Sequence, residues 1–464
     1  ATPKTGDFKK LDSITTSSAT TFNLRQGGVA VYPESANHCI VSLNGVIQAP
    51  GDAFNIVNDT VVFSSSLASS DVINFFLVLG NVNDIGTVSD DTVSTAKLQA
   101  NAVTTAKITD GNVTAAKIAS GVVPTLRPNA KPLIVNGNMA VAQRSASVTG
   151  VTGGGYRTCD RMRLNPSSAG TWTVIQESLT SGAAYNAGFS KAYRIDCTTA
   201  NASLGAASHL MANMRLEGQD LQFFKKGTSS AEKYTLAFWV KCNKTGTGQV
   251  NLQDVDNTRM CSATYAISSA DTWEHKVLNF AADTTGVLGN DNGQSLRIEW
   301  YLDSGSNYDS GAAPTAWEAS ATADQNAGGN LNLADNTNND WAITGIQLEV
   351  GEFSASTLPP YEHESYGDNL RRCQRYYFKY LDGTSKTVGI GSWWNDANID
   401  TVIHFPVTMR TDPSLSATNG TNYYYICVAG NCRNISNSWT AGRTNPTSSQ
   451  IYLAPDATDT GGRA

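Results

Sequence analysis

The sequence predicts a mainly β protein: small β domains strung along a thin repeat shaft. Three observations predict it. Charged residues make up only 16% of the 464 positions, and Gly, Ser, Thr, Asn and Asp fill the gap, a balance suited to turn-rich β chains. Short apolar runs bounded by Gly, Asn, Asp and Ser recur along the chain. One ten-residue phrase is repeated three times over residues 91–120.

Residues 1–85 predict a first small β domain with strands near 39–43, 46–48, 54–57, 60–64 and 71–79. Asn44-Gly45 between Val41-Ser-Leu43 and Val46-Ile47 is a type I′ hairpin signal, because both turn residues accept a positive φ. Asn58-Asp59 marks a second turn. Asp71-Val-Ile-Asn-Phe-Phe-Leu-Val-Leu79 is nearly all apolar, which predicts a strand buried on both faces.

Residues 86–131 carry the repeat and a Pro-rich exit. Val93, Leu98, Val103, Ile108, Val113 and Ile118 place a large apolar residue every five positions. That spacing matches neither a 3.6-residue nor a two-residue period. A thin repeat cannot bury its own apolar side chains, so it must stack on something. The simplest solution is identical chains side by side, with these six residues on the axis of a homotrimer. A flexible Ala/Thr linker is the other reading of the same residues.

Residues 132–362 predict a larger β-sandwich or jelly roll, with strands near 171–175, 192–195, 234–241, 250–252, 273–278, 295–302 and 341–350 separated by polar loops. Trp239, Trp273, Trp300 and Trp341 fall in alternating strands and are expected in its core. Residues 363–380 predict a short helix: Ser365 precedes Asp368 by three positions, a capping-box pattern, and Leu370, Cys373, Tyr376 and Tyr377 are helically spaced. The helix either bundles on a trimer axis or lies on its own sandwich. Residues 381–464 predict a C-terminal β tip.

Net charge is −7 and no Lys/Arg block stands out, which disfavours a nucleic-acid partner. No run approaches the ~18 apolar residues of a membrane span, so no membrane insertion is expected. Ala1-Thr-Pro-Lys4 lacks a signal-peptide core, pointing to synthesis in a cytosol. The eight cysteines show no CxxC spacing and read as buried thiols; Cys427 and Cys432 are the nearest pair. No catalytic fingerprint, cofactor motif or paired-histidine metal spacing is present, so no enzyme, no cofactor and no metal is expected. Glu362/Glu364 and Asp254/Asp256 are neighbouring carboxylates, but they read as a helix cap and a plain turn.

Several motifs are specific. Ser42-Leu-Asn-Gly-Val-Ile-Gln-Ala-Pro-Gly-Asp52 resembles a small β module near the N-termini of tailed-bacteriophage adhesins. Ile134-Val-Asn-Gly-Asn-Met139, Asp160-Arg-Met162, Gly345-Ile-Gln-Leu-Glu-Val-Gly351 and Tyr361-Glu-His-Glu-Ser-Tyr-Gly-Asp-Asn-Leu-Arg-Arg-Cys-Gln-Arg-Tyr-Tyr377 resemble podovirus-like tail-fibre proteins with a carbohydrate-binding-module-like sandwich. That resemblance implies a homotrimeric appendage of the virion. Its N-terminal domain would dock on phage tail or adaptor proteins, and its distal part would bind host surface polysaccharide such as lipopolysaccharide or capsule. Tailspike depolymerase and purely structural connector are the competing classes.

Exposed aromatic rings beside Asn and Asp suit sugar faces. Trp393, Trp394, Asn395, Asp396, Tyr424 and Trp439 are therefore the candidate glycan-binding residues, all in the tip.

Overall fold

The computed structural model describes residues 8–79, 104, 108, 131–395, 398–418, 420, 423–428, 431–436 and 438–453. The chain divides into two units, residues 1–117 and 118–464.

In the first unit, Lys9–Lys10, Ile73–Val78, Cys39–Leu43 and Val46–Ile47 form a four-stranded antiparallel sheet. Thr21–Asn23, Thr60–Phe63 and Phe54–Val57 form a three-stranded one. Asn44 and Gly45 take φ of 50° and 81°, the positive pair that a type I′ hairpin needs. Phe22, Phe54, Phe63 and Phe76 meet in the core at centroid separations of 6.1–6.4 Å. The strand at Ile73–Val78 is half-buried and not buried on both faces: Ile73 and Phe76 reach the core, and Asn74 is exposed. Asn74 instead accepts from the Gly45 amide at 2.7 Å, fixing the hairpin. Of the proposed axis residues, Val93, Leu98, Val103, Val113 and Ile118 lie outside the described residues, and Ile108 is exposed in the single chain.

In the second unit two antiparallel sheets face each other. The six-stranded sheet runs Ser147–Val151, Thr171–Ser178, Lys191–Thr199, Asp340–Val350, Tyr234–Cys242, Glu274–Phe280. The seven-stranded sheet runs Gly155–Tyr156, Arg163–Ser167, His209–Glu217, Gln294–Ser304, Gly246–Asp254, Arg259–Ile267, Glu318–Ala319. Between them lies one large core that includes Trp172, Phe238, Trp300 and Trp341. Trp273 is buried in a separate small cluster, and Trp239 is only half-buried, stacked on His275 at 4.9 Å.

The helix spans Tyr366–Gln374, shorter than the 363–380 expected, with Ser365 as N-cap accepting from the Asp368 amide at 3.2 Å. It lies against its own sandwich. Asn369 donates to Asn136 and Asn138, and Arg372 donates to the Pro132 carbonyl at 2.6 Å. Asn136 is fully buried at φ 61° and bridges the Val141 and Asp160 carbonyls. A Cβ on Gly137 would lie 2.2 Å from the Ile346 carbonyl oxygen, so glycine is required there. The shared motifs at 134–139, 160–162, 345–351 and 361–377 thus tie the helix to the sandwich.

The tip holds a four-stranded sheet, in the order Ser392–Asn395, Asn398–His404, Ser448–Leu453, Thr440–Thr444, and the hairpin Tyr424–Val428/Asn431–Ser436. Cys427 and Cys432 pair directly across that hairpin and form a disulfide, which corrects the expectation of free thiols; the other six cysteines are buried and free.

Candidate functional site

Strand alternation puts every second residue of the seven-stranded sheet on the face turned away from the core. Leu210, Ala212, Met214 and Leu216 point inward on one strand; Leu296, Ile298, Trp300 and Leu302 do so on its neighbour. The alternate positions are polar to an unusual degree. Arg163, Asn213, Glu299, Asn251 and Ser262 stand in one register row across five strands. Arg215 and Arg297 stand opposite each other in the next row.

Half of this face is closed by the segment 305–331. Gln249 and Asn251 donate to the Asp324 and Gln325 carbonyls, both at 2.8 Å. Tyr301 donates to Gln325 Oε1, and the Gly328 amide donates to Gln249 Oε1. The amides of Gln249 and Asn251 and the Tyr301 hydroxyl thus all bond to this segment.

The other half is different. Asn213 is 0% exposed, yet neither its Nδ2 nor its Oδ1 meets a hydrogen-bond partner among the described residues. Beside it Glu299 is also fully buried and ion-paired with Arg297. Burial raises the Glu299 pKa, with Arg297 and Arg215 pulling it back. Arg163 and Arg215 are half-buried and make no ion pair among the described residues. Burial holds the Arg163 guanidinium below its ordinary value, and the neighbouring charges of Arg215, Arg297 and Arg157 add to that, Tyr156 opposing. A buried amide without a partner costs about 1–3 kcal/mol, which native folds avoid unless something else fills the valence.

Over this open half runs the loop Gly153-Gly154-Gly155. A Cβ on Gly154 would lie 2.4 Å from both Arg163 Nη2 and Asn165 Oδ1, so a side chain there would displace the ends of those two side chains. Asn165 in turn holds His209 Nε2 at 2.9 Å, and His209 packs on Tyr308 at 4.9 Å.

At the end of the sheet a cavity of about 210 Å³ is lined by Tyr156 and Arg215 of this face together with Arg144, Arg161, Tyr377 and Arg410. Arg144 stacks on Tyr377 at 3.6 Å and Arg161 on Tyr376 at 3.4 Å. Arg375 clamps Glu217 with two bonds of 2.9 and 2.7 Å. Burial pushes Glu217 up, but the bonds from Arg375 and Tyr376 outweigh it and leave its pKa lowered.

The residues picked out from sequence lie elsewhere, in the tip. Trp393 and Trp394 occupy the Ser392–Asn395 strand and differ in exposure. Trp393 packs on Ile399 and Leu453, while Trp394 is 58% exposed with Arg443 5.3 Å from its ring. Tyr424 and Trp439 pack edge-to-face at 5.5 Å against the same small cluster. The side chain of Asn395 and the whole of Asp396 lie outside the described residues. Three of the four carboxylate neighbours of the sequence are tied down: Asp254 is buried and ion-paired with Lys226, Asp256 accepts from the Gly289 amide at 2.8 Å, and Glu364 holds Arg372 at 2.7 Å, while Glu362 is exposed. Among the described residues no group of His, Cys, Asp and Glu could hold a metal ion.

Sequence reading missed the sheet-face cluster. The signal was available in Leu296-Arg-Ile-Glu-Trp-Tyr-Leu302, where the polar positions of the alternation carry Arg297 and Glu299.

No protein-family model and no curated protein matches the chain. Among solved structures, the enzymatically active domain of bacteriophage CBA120 tailspike protein 4 aligns at TM-score 0.22 and 10% identity, covering 47% of this chain and 21% of that one. The carbohydrate-binding module TmCBM61, solved with β-1,4-galactotriose, aligns at 0.24 and 8%, covering 48% and 99%. A family 11 carbohydrate-binding module from Clostridium thermocellum, solved with a mixed-linked tetrasaccharide, aligns at 0.20 and 10%, covering 45% and 97%. Likenesses this distant leave function to be read from the side chains.

Proposed function

We propose that this chain is a phage tail fibre that attaches to host cell-surface glycan, and that the open half of the seven-stranded sheet face is its saccharide-binding surface. The observation that carries the binding role is Asn213: a fully buried amide, without a partner on either atom, beneath a half-open polar face. A sugar presents hydroxyls that both donate and accept, which is what a free amide lacks. The half-buried Tyr156 offers an apolar ring at the rim.

Binding without cleavage is the favoured reading. Hydrolysis needs two working carboxylates flanking one bond. On this face Glu217 is held by Arg375, which leaves Glu299 without a free second carboxylate.

The fibre reading rests on the decapeptide repeat and the shared motifs, and it includes a homotrimer whose shaft is residues 91–120. Trp394, Tyr423 and Tyr425 are each more than half exposed on the tip, apolar surface that a neighbouring copy or a glycan would cover. Weak sites repeated around a trimer then act together through avidity.

The test is direct. The full chain should be trimeric by light scattering, should bind bacterial surface oligosaccharides on a printed array, and should release no reducing ends from them. Absence of binding to any neutral or acidic glycan removes the attachment role. A monomer removes the shaft and the avidity, and reducing-end release makes the chain a tailspike enzyme.

A further inference from the structure

The charge on this face says what kind of sugar it takes. Arg163, Arg215 and Arg297 stand in two adjacent register rows with one carboxylate, Glu299, which is ion-paired with Arg297 and also attracted to Arg215. Arg157 adds a fourth guanidinium close by, bonded to the Gly153 carbonyl at 3.0 Å. Arg215 and Arg297 are direct cross-strand partners, a like-charge placement that destabilises a sheet. Elsewhere in the sandwich cations are paired with care. Arg194 lies against Glu177, Asp196 and Asp340, and Lys226 against Asp254 and Asp283. In a chain of net charge −7, two half-buried arginines that make no ion pair among the described residues, beside a buried amide without a hydrogen-bond partner there, suit a ligand of negative charge.

We infer that this site selects an anionic saccharide residue, a uronate or a sulfated or phosphorylated sugar, whose charged group is gripped by Arg163 and Arg215, their side chains shifting on binding to uncover the buried Asn213 amide for a ring hydroxyl. This rests on the saccharide-binding reading of the same face. Planar guanidinia suit the task because they pair two oxygens of a carboxylate, sulfate or phosphate at once.

The experiment uses the full chain on one array bearing neutral glycans and uronate-, sulfate- and phosphate-substituted glycans in separate sets. Binding confined to anionic sets is expected, and the set that binds identifies the charged group. Arg163→Gln and Arg215→Gln should each weaken that binding by about ten- to hundredfold, the value of one charge-assisted contact. Their melting temperature should hold or rise, because each removes one member of a repelling cluster. Arg163→Lys keeps the charge but loses the fork, and should fall between. Lys233→Gln, at an exposed ion pair outside the site, controls for net charge and should leave binding unchanged.

Binding to neutral glycans alone overturns the charge selection and leaves the glycan reading standing. Anionic binding that survives both arginine substitutions overturns the site. Binding to nothing on the array overturns both.

Discussion

Asn213→Val should make the protein more stable and useless as a binder. Asn213 lies on the His209–Glu217 strand, fully buried, between Arg163 on one side and Glu299 on the other. Its two amide atoms have left water and gained nothing among the described residues. Leaving such a group unsatisfied costs about 1–3 kcal/mol. Valine has a similar volume, no polar atom and a branched Cβ that suits a strand. The substitution should therefore recover about 1–3 kcal/mol. For a domain of this size that corresponds to a rise of roughly 2–10 °C in melting temperature. Glycan binding should fall by about tenfold or more, since a ligand hydroxyl would then face an apolar group. Differential scanning calorimetry and the glycan array on the same preparation read both quantities. A melting temperature that drops while binding persists would sink the reasoning: it would mean that the amide is already hydrogen-bonded, for instance by a buried water, and serves the fold.

Other outcomes follow from single contacts. Asp283→Asn should cost about 3 kcal/mol, because it leaves Arg259 without its carboxylate and Lys226 with Asp254 alone at a buried site; a melting temperature within 2 °C of the parent would contradict this, by the usual scaling of stability with melting. Burial pushes the Asp283 carboxyl up, but bonds from Arg259 and Lys226 outweigh it and hold its pKa at about 2, below the usual 3.8. A depressed carboxylate stabilises the fold above its unfolded pKa and loses that contribution as pH falls through its folded one. Its share should thus be intact at pH 5 and fade only between about 4 and 2, and acid titration of Asp283→Asn should show a flatter loss over that window. Reducing Cys427–Cys432, a bridge across a sequence separation of 5, should weaken the tip hairpin by about 2 kcal/mol and speed proteolytic nicking there while the sandwich stays resistant. Unchanged nicking would assign the hairpin's order to its packing alone.

Why was the sandwich legible and its site not? Strands such as Tyr234–Cys242 and Asp340–Val350 are rich in Trp, Val, Ile and Thr and are bounded by polar loops, so their own composition declares them. His209–Glu217 reads His-Leu-Met-Ala-Asn-Met-Arg-Leu-Glu, dominated by good helix formers, and only the sheet around it makes it a strand. Arg163–Ser167 contains Pro166, which argues against an inner strand. It is tolerated because the outer neighbour, Gly155–Tyr156, pairs only with Arg163 and Leu164. Two strands of the site were thus hidden by local sequence. Their convergence on Glu299 spans more than a hundred residues, a separation that no spacing rule covers. The conspicuous motifs serve the fold. Asn136, Gly137 and Asn369 stand out in the sequence, and they fasten the helix to the sandwich. The aromatic pairs of the tip drew attention as glycan platforms, yet Trp393, Tyr424 and Trp439 are largely used to pack a small core. The turn at Asn44-Gly45 and the cap at Ser365 were readable because each depends on two or three adjacent residues.

An anionic ligand poses a problem for a chain of net charge −7, and the solution predicts an inverted salt response. Proteins that gather polyanions with a broad basic surface steer them from afar, and their association slows as salt is added. Here the whole-chain field opposes approach, and attraction begins only near Arg163 and Arg215. The screening length is about 30 Å at 0.01 M salt and about 8 Å at 0.15 M. Raising salt across that range should suppress the long-range repulsion first, so the association rate should rise. The bound contacts are half-buried and much less screened, so the dissociation rate should change little. Surface plasmon resonance of the full chain over an immobilised acidic oligosaccharide separates the two rates. An association rate that falls steeply with salt would show that a distributed basic field draws the ligand, and the local arginine site would lose its role as the point of capture.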